Sequence, residues 1–182
     1  MGGHGGANMN SAVIHTPNPA PRTATRLASW GGVLVIVLAV AAVAAVGGLV
    51  TATSIRTWYP TLPRPAWTPP DRVFAPVWTA LYAMMAVAAS IIWVRRARVD
   101  ICCPLSAFAI QLALNLAWPI LFFGLRSPLL GFLDICLLWV ATGVTVTQFF
   151  LVSRVAGSLL VPYWAWVTFA AALNAAIVLL GA

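Results

Sequence analysis

Between two long apolar runs lies the stretch IRTWYPTLPRPAWTPP, residues 55–70, which carries five prolines, two tryptophans and one tyrosine. Each proline fixes its own φ, lacks a backbone N–H and drives the preceding residue toward an extended conformation. The stretch therefore fits neither a helix nor a sheet, and it is stiffer than a Gly/Ser-rich linker. We expect a rigid, aromatic cover at one end of a membrane-embedded bundle, placed as a lid over a binding site.

The composition is that of an integral membrane protein. Of the 182 residues, 62% are hydrophobic and 7% are charged, whereas a soluble domain carries about 25% charged residues. A helical span needs about 20 apolar residues, and suitable runs occur at about residues 31–53, 73–94, 104–125, 129–152 and 158–180. These runs differ from the short alternating strands of a membrane barrel. The predicted fold class is an all-α integral membrane protein, a multi-pass bundle of five transmembrane helices.

The chain is predicted to form one domain, residues 30–182, preceded by a disordered extension, residues 1–29, that is rich in Gly, Asn and Pro. The first apolar run exceeds the roughly 7–15 residues of a signal-peptide core, so we expect a retained helix rather than a cleaved signal. Short connections make consecutive helices antiparallel neighbours. Pro119 predicts a kink in the third helix.

Charge and histidine content limit the functional classes. The net charge of +7 comes from ten arginines and three aspartates. The arginines lie scattered at predicted helix ends, where they would meet membrane lipids, so nucleic-acid binding is not expected. His4 and His15 precede the predicted bundle, so we expect no histidine-ligated metal there and no required cofactor.

Three predicted helices carry polar and aromatic residues on one face at helical spacing. The second helix carries Phe74, Trp78, Tyr82 and Met85, the third carries Gln111, Asn115, Trp118 and Phe122, and the fifth carries Tyr163, Trp166, Ala170 and Asn174. Amides are costly against lipid, so these stripes should face inward. Each amide alone is explained as a hydrogen bond between helices. Together with the aromatic rings, the amides predict a flat-walled pocket for a planar hydrophobic ligand with a polar edge.

Two further features lie within predicted spans. Asp134 is the one acid placed there, and such a carboxylate is a functional candidate, with a protonated or arginine-paired structural residue as the alternative. Ala109, Ala113 and Ala117 recur every four residues on the third helix. A row of small residues allows close helix contact and predicts a homodimer seam.

The same residues resemble the signature of the TspO/MBR family, the translocator proteins or peripheral-type benzodiazepine receptors. The matching pattern comprises Trp58-Tyr59, Leu62-x-Arg64-Pro65-x-Trp67-x-Pro69-Pro70, Phe74-x-Pro76-Val77-Trp78-Thr79-x-Leu81-Tyr82, Gln111-x3-Asn115-x2-Trp118 with Phe122-Phe123, Pro162-Tyr163-x2-Trp166, and Asn174. The resemblance covers about residues 31–180 and suggests a bacterial member.

The resemblance implies a five-helix bundle, usually dimeric, that binds porphyrins such as protoporphyrin IX beneath the loop between the first two helices. Animal members bind cholesterol, and benzodiazepine-type compounds are synthetic ligands. Carried onto this chain, the ligand-binding candidates are Tyr59, Trp78, Tyr82, Asn115, Trp118, Phe122, Trp166 and Ala170. The implied function is that of a receptor or transporter linked to tetrapyrrole regulation and stress response. The alternative is a light-dependent porphyrin-degrading enzyme in which Trp78 and Trp166 take part.

Two details refine that expectation. The proposed sterol motif needs a Lys or Arg within about five residues after its tyrosine, and none follows Tyr163. Arg56, Arg64 and Arg72 lie in or beside the proline-rich stretch. They are expected to attract the propionate groups of a porphyrin to the pocket mouth.

Overall fold

The computed structural model describes residues 1–2 and 22–181, with side chains described for residues 1–2 and from 30 onward. Five long helices make up this part of the chain: α1 (Arg22–Ser54), α2 (Phe74–Val94), α3 (Cys102–Pro119), α4 (Pro128–Val152) and α5 (Arg154–Leu180). Each is long and apolar enough to cross a membrane. The predicted class, an all-α integral membrane protein with five spans, is confirmed.

Two helices begin at least four residues before their predicted starts. α1 starts at Arg22, so residues 22–29 of the predicted extension have helical backbone, while residues 3–21 lie outside the described residues. α5 starts at Arg154 rather than near residue 158. A single extended residue, Ser153, separates it from α4, and the Ser153 hydroxyl accepts a hydrogen bond from Ala156 N at 3.4 Å. This N-cap starts the new helix at once.

The helix type changes at Pro119, the residue where a kink was predicted. Pro119 is the last residue of α3, and a π-helical turn, Ile120–Gly124, follows it. Proline cannot donate to the preceding turn and crowds its carbonyl, and π-helical turns such as the one that follows are rare and often lie at functional sites. The turn directs Phe122 and Phe123 inward, where both are buried.

The helices form a ring in the order α1, α2, α5, α4, α3, and α3 closes it against α1. The main apolar core fills the ring with residues such as Met85, Ile92, Leu138 and Phe149, all fully buried. A second apolar cluster gathers Tyr59, Phe122, Phe123, Leu173 and Ile177 at the end of the bundle where α1 stops. This end lies beneath the proline-rich stretch.

The proline-rich stretch, residues 55–70, is called the lid below. It contains one short 3-10 turn, Tyr59–Thr61, which begins beside Pro60, and a second turn, Asp71–Val73, leads into α2. The prediction that residues 55–70 are not helical missed the first of these turns, while the second lies outside that stretch. Proline suits the first turn of a helix, where its missing N–H would have no partner within the helix.

Candidate functional site

The first half of the lid is fixed to the end of α3 by aromatic contacts. The ring of Trp58 lies 5.5 Å from that of Phe122, and the ring of Tyr59 lies 5.7 Å from that of Phe123. The Ser54 hydroxyl, at the end of α1, donates to the Phe123 carbonyl at 2.9 Å. Aromatic pairs at these distances add about 0.5–1.5 kcal/mol beyond area burial, so the lid is held closely over the π-helical turn.

The second half of the lid is held by an aromatic contact and a charged clamp. Trp67 packs 5.8 Å from Phe169 of α5. The Arg64 guanidinium lies 4.7 Å from the centre of the Tyr59 ring and 3.6 Å from the Asp71 carboxylate. Burial raises the pKa of Tyr59 although Arg64 acts in the opposite direction. The phenol therefore stays protonated and uncharged through neutral pH.

A cavity of about 400 Å³, called the lateral cavity, lies between α1, α2 and the end of α3. Its rim is formed by the exposed residues Gly48, Ala52, Ala75 and Thr79, so it opens on the bundle surface between two spans. Its inner wall carries Phe74, Trp78, Tyr82, Asn115 and Trp118. Small-molecule pockets occupy about 300–1,000 Å³, and the lateral cavity falls within that range.

A smaller cavity of about 60 Å³, called the inner cavity, lies directly beneath the lid. Tyr59, Phe122, Ala170 and Asn174 are among its lining residues. Four side chains line both cavities and separate them: Thr51, Ile55, Phe74 and Trp118.

One polar network faces the lateral cavity. The Tyr82 hydroxyl donates to the Asn115 side-chain oxygen, and the Asn115 amide donates to the Tyr163 hydroxyl at 2.8 Å. Asn115 is 2% exposed and Tyr163 is fully buried. A single amide thus connects α2, α3 and α5, and it places a polar edge on an otherwise aromatic wall.

A second amide holds the inner cavity. Asn174 accepts a hydrogen bond from the Trp118 indole N–H at 3.3 Å and donates to the Pro128 carbonyl at 2.9 Å. Trp118 stacks on Phe122 with ring centres 5.2 Å apart. Gly131 of α4 lies against the same group, because a Cβ there would come within 2.8 Å of the Phe122 ring. The Trp118 indole is therefore held by the hydrogen bond to Asn174 and by the stacked Phe122 ring.

Comparisons with known proteins agree with this geometry. Residues 35–180 match the model of the TspO/MBR family. The chain belongs to that family. It is 44% identical over 134 residues to the tryptophan-rich protein TspO of Chlorobaculum tepidum, covering 73% of this chain and 85% of the relative. It is 42% identical over 150 residues to TspO of Archaeoglobus fulgidus, covering 80% and 94%. It is also 38% identical over 123 residues to the human translocator protein, covering 64% and 70%.

Seven of the eight ligand-binding candidates line a cavity of this TspO/MBR chain. Tyr59, Phe122 and Ala170 line the inner cavity, Trp78, Tyr82 and Asn115 line the lateral cavity, and Trp118 lines both. Trp166 lines neither of these two cavities of the described residues, and its ring lies 6.0 Å from Phe74 and 5.3 Å from Phe169. It supports the cavity wall from behind Phe74.

The contribution of α1 was missed by sequence reasoning. Ala44, Gly47, Gly48, Thr51 and Ala52 of α1 line one side of the lateral cavity. Between Trp30 and Ser54, helix α1 carries no stripe of aromatic or amide residues, so its part in the cavity was not predicted. The pair Gly47-Gly48 was the available signal, since glycines leave room beside a helix where a ligand can approach the backbone.

Two other polar candidates lie apart from the cavities. Gln111 is 1% exposed and donates to the Met85 sulfur at 3.8 Å, which is a contact between helices rather than a cavity position. Asp134 is 6% exposed on the inner face of α4, and its Oδ2 atom has no hydrogen-bond partner among the residues that the structure describes. Asp134 lies within a span, as predicted, and its role stays a hypothesis.

Proposed function

We propose that this TspO/MBR protein is a membrane receptor or transporter-like protein that binds porphyrins, such as protoporphyrin IX, and related hydrophobic ligands between α1, α2 and α3. The observation that carries the proposal is the lateral cavity, which combines three aromatic rings of α2 with the Asn115 amide and opens between two spans. A planar ligand could reach it from the lipid phase. Tetrapyrrole regulation and stress response would follow from the ligand state.

The chemistry of the wall favours a flat, mainly apolar ligand. Phe74, Trp78, Tyr82 and Trp118 supply aromatic faces and edges, and such rings prefer stacked or edge-to-face partners. Asn115 supplies the polar group that fixes orientation. At the lid end, Arg56 and Arg72 are exposed. Guanidinium groups pair well with carboxylates, so these arginines suit the propionates of a porphyrin whose ring lies in the lateral cavity.

The test of this proposal is a titration of the purified protein with protoporphyrin IX, followed by tryptophan fluorescence. We expect saturable quenching that weakens in Trp78→Phe, because Trp78 lines the lateral cavity. The matched control is Trp139→Phe: Trp139 lies on the outer face between α4 and α5, where its indole donates to Thr168 at 2.8 Å. Quenching that does not saturate, or equal loss in both variants, contradicts the proposal.

A second candidate function is light-dependent porphyrin degradation, which the position of Trp78 in the lateral cavity favours. Trp78 lies 5.7 Å from Tyr82, and a bound porphyrin would meet both oxidisable rings. Trp166 does not line the lateral cavity, so it would take part only indirectly, through its contact with Phe74. Illumination of the porphyrin complex in air should then give a new product spectrum that disappears in Trp78→Phe. A product that persists in this variant removes Trp78 from the chemistry.

We further propose a homodimer through the outer face of α3. Ala109 and Ala113 are exposed there, and Ala117 is half-buried. Small residues at four-residue spacing let two helix backbones approach closely. This face points away from Asn115, so dimer formation would leave the lateral cavity intact.

A further inference from the structure

A third cavity, of about 520 Å³, lies on the outside of the bundle at the end opposite the lid. This cavity is called the groove below. Helix α1 contributes Trp30, Val33 and Val37, and α2 contributes Val87 and Ile91, with Arg95 at the end. On each helix these residues follow three- and four-residue steps, so each forms one stripe. The groove therefore runs along the two helices for about two turns.

The groove is apolar and is built into the packing of α1 on α2. The one hydroxyl that lines it, on Ser90, donates within its own helix to the Ala86 carbonyl at 2.7 Å. Next to the groove, the Trp93 ring occupies the space beside Gly32, where a Cβ would come within 2.0 Å of the indole. Trp93 thus sets the distance between the helices and leaves the stripes open to lipid.

The charge at the end of the groove selects among lipids. The second span ends at Val94, so Arg95 lies at the depth of lipid headgroups. One of its N–H groups donates to the Val152 carbonyl. A guanidinium has five N–H donors, so this bond fixes the side chain and leaves donors for a phosphate.

The surroundings of Arg95 strengthen that selection. Arg96, Arg98 and Arg154 lie at the same end of the bundle. The one acid of the sequence placed there, Asp100, accepts a hydrogen bond from the Cys102 N–H at 2.8 Å and so caps α3. The field at the groove end is therefore positive, which favours anionic over zwitterionic headgroups.

We propose that the groove is a binding site for an anionic phospholipid, with one acyl chain between α1 and α2 and the phosphate on Arg95. This site is separate from the lateral cavity, and the proposal stands whether or not porphyrin is the ligand there. The apolar stripes of α1 and α2 hold the acyl chain of the lipid, and Arg95 provides the preference for a negatively charged headgroup.

Native mass spectrometry of the full chain in detergent tests this proposal, with phosphatidylglycerol and phosphatidylcholine of identical chains added separately. We expect phosphatidylglycerol to bind about fivefold more tightly, the ~1 kcal/mol that one arginine contributes at a membrane surface. Arg95→Gln should reduce the preference to about twofold or less, the remainder coming from the neighbouring arginines. Val87→Trp, which fills the groove from an exposed position, should weaken the binding of both lipids.

Two matched variants control for general effects. Arg98→Gln removes a charge at the same end outside the groove, and Leu137→Trp adds an indole at an exposed position of α4; neither should change lipid binding more than twofold. Equal affinity for the two lipids, or equal losses in Arg98→Gln and Arg95→Gln, would overturn the proposal. So would a change of oligomeric state in Val87→Trp, because the groove would then be a contact between copies of the chain.

Discussion

The Asn115 amide is the point where a single substitution should disturb both the bundle and the site. Asn115→Leu keeps a similar volume but removes two hydrogen bonds, one accepted from Tyr82 and one donated to Tyr163 at 2.8 Å. Hydrogen bonds between membrane helices contribute about 0.6 kcal/mol on average and up to about 1.7. The Tyr163 hydroxyl is fully buried, so losing its partner adds a desolvation cost. We therefore expect a loss of ~1–3 kcal/mol in the free energy of unfolding.

Reversible unfolding in mixed micelles would measure that loss for Asn115→Leu, for Tyr163→Phe and for the double variant. Because the two side chains share one bond, the double variant should lose less than the sum of the single variants, by at least ~0.5 kcal/mol. Thr147→Val is the matched control, since the exposed Thr147 hydroxyl donates within its own helix, to the Val144 carbonyl. Additive losses, or an Asn115→Leu protein as stable as the control, would refute the view that this amide joins the helices.

Three further predictions concern the wall, the lid and the dimer. Gly131→Ala places a Cβ within 2.8 Å of the Phe122 ring. Thermal unfolding should therefore show a loss of ~1–3 kcal/mol in stability. An unchanged melting temperature would show that the Phe122 ring can move aside without cost. Arg64→Gln removes the lid's ion pair and its cation–π contact. Stopped-flow mixing should then show porphyrin dissociating about two- to fivefold faster. An unchanged dissociation rate would show that these two contacts do not slow the release of the ligand. Ala113→Leu on the outer face of α3 should give monomers by light scattering while Ala83→Leu on α2 stays dimeric, and a dimeric Ala113→Leu protein would place the seam elsewhere.

The sequence predicted the inner faces of α2 and α3 well, because the residue types along each helix were enough to show which face turns inward. An amide in a span must turn inward wherever the neighbouring helices lie, and Asn115 and Gln111 are both buried. The joint pattern of lid and stripes also indicated the right family. The five spans followed directly from apolar length.

The position of Trp166 and the contribution of α1 could not be predicted from the sequence, because both depend on packing between helices. Trp166 shares a stripe with Ala170 and Asn174, yet at 100° per residue it lies about 60° from Tyr163, while the other two lie within about 20° of it. That offset turns Trp166 toward Phe74 of α2, which only the assembled ring of helices determines. The side of the lateral cavity on α1 was not predicted for a similar reason. Gly48 has no side chain that would mark a binding site, and it contributes only by leaving room for a ligand.

That space gives the most direct measurement of the central claim, that ligand binds in the lateral cavity. Gly48 lines the cavity, and no atom of the described residues outside its own helix turn lies within 4 Å of a Cβ built there. Gly48→Phe should therefore fold normally and fill the space. Gly31, on the same helix and equally open, supplies the control. We predict that Gly48→Phe weakens protoporphyrin IX binding at least tenfold, about 1.4 kcal/mol, while Gly31→Phe changes it less than twofold. Equal affinities in the two variants would contradict the account.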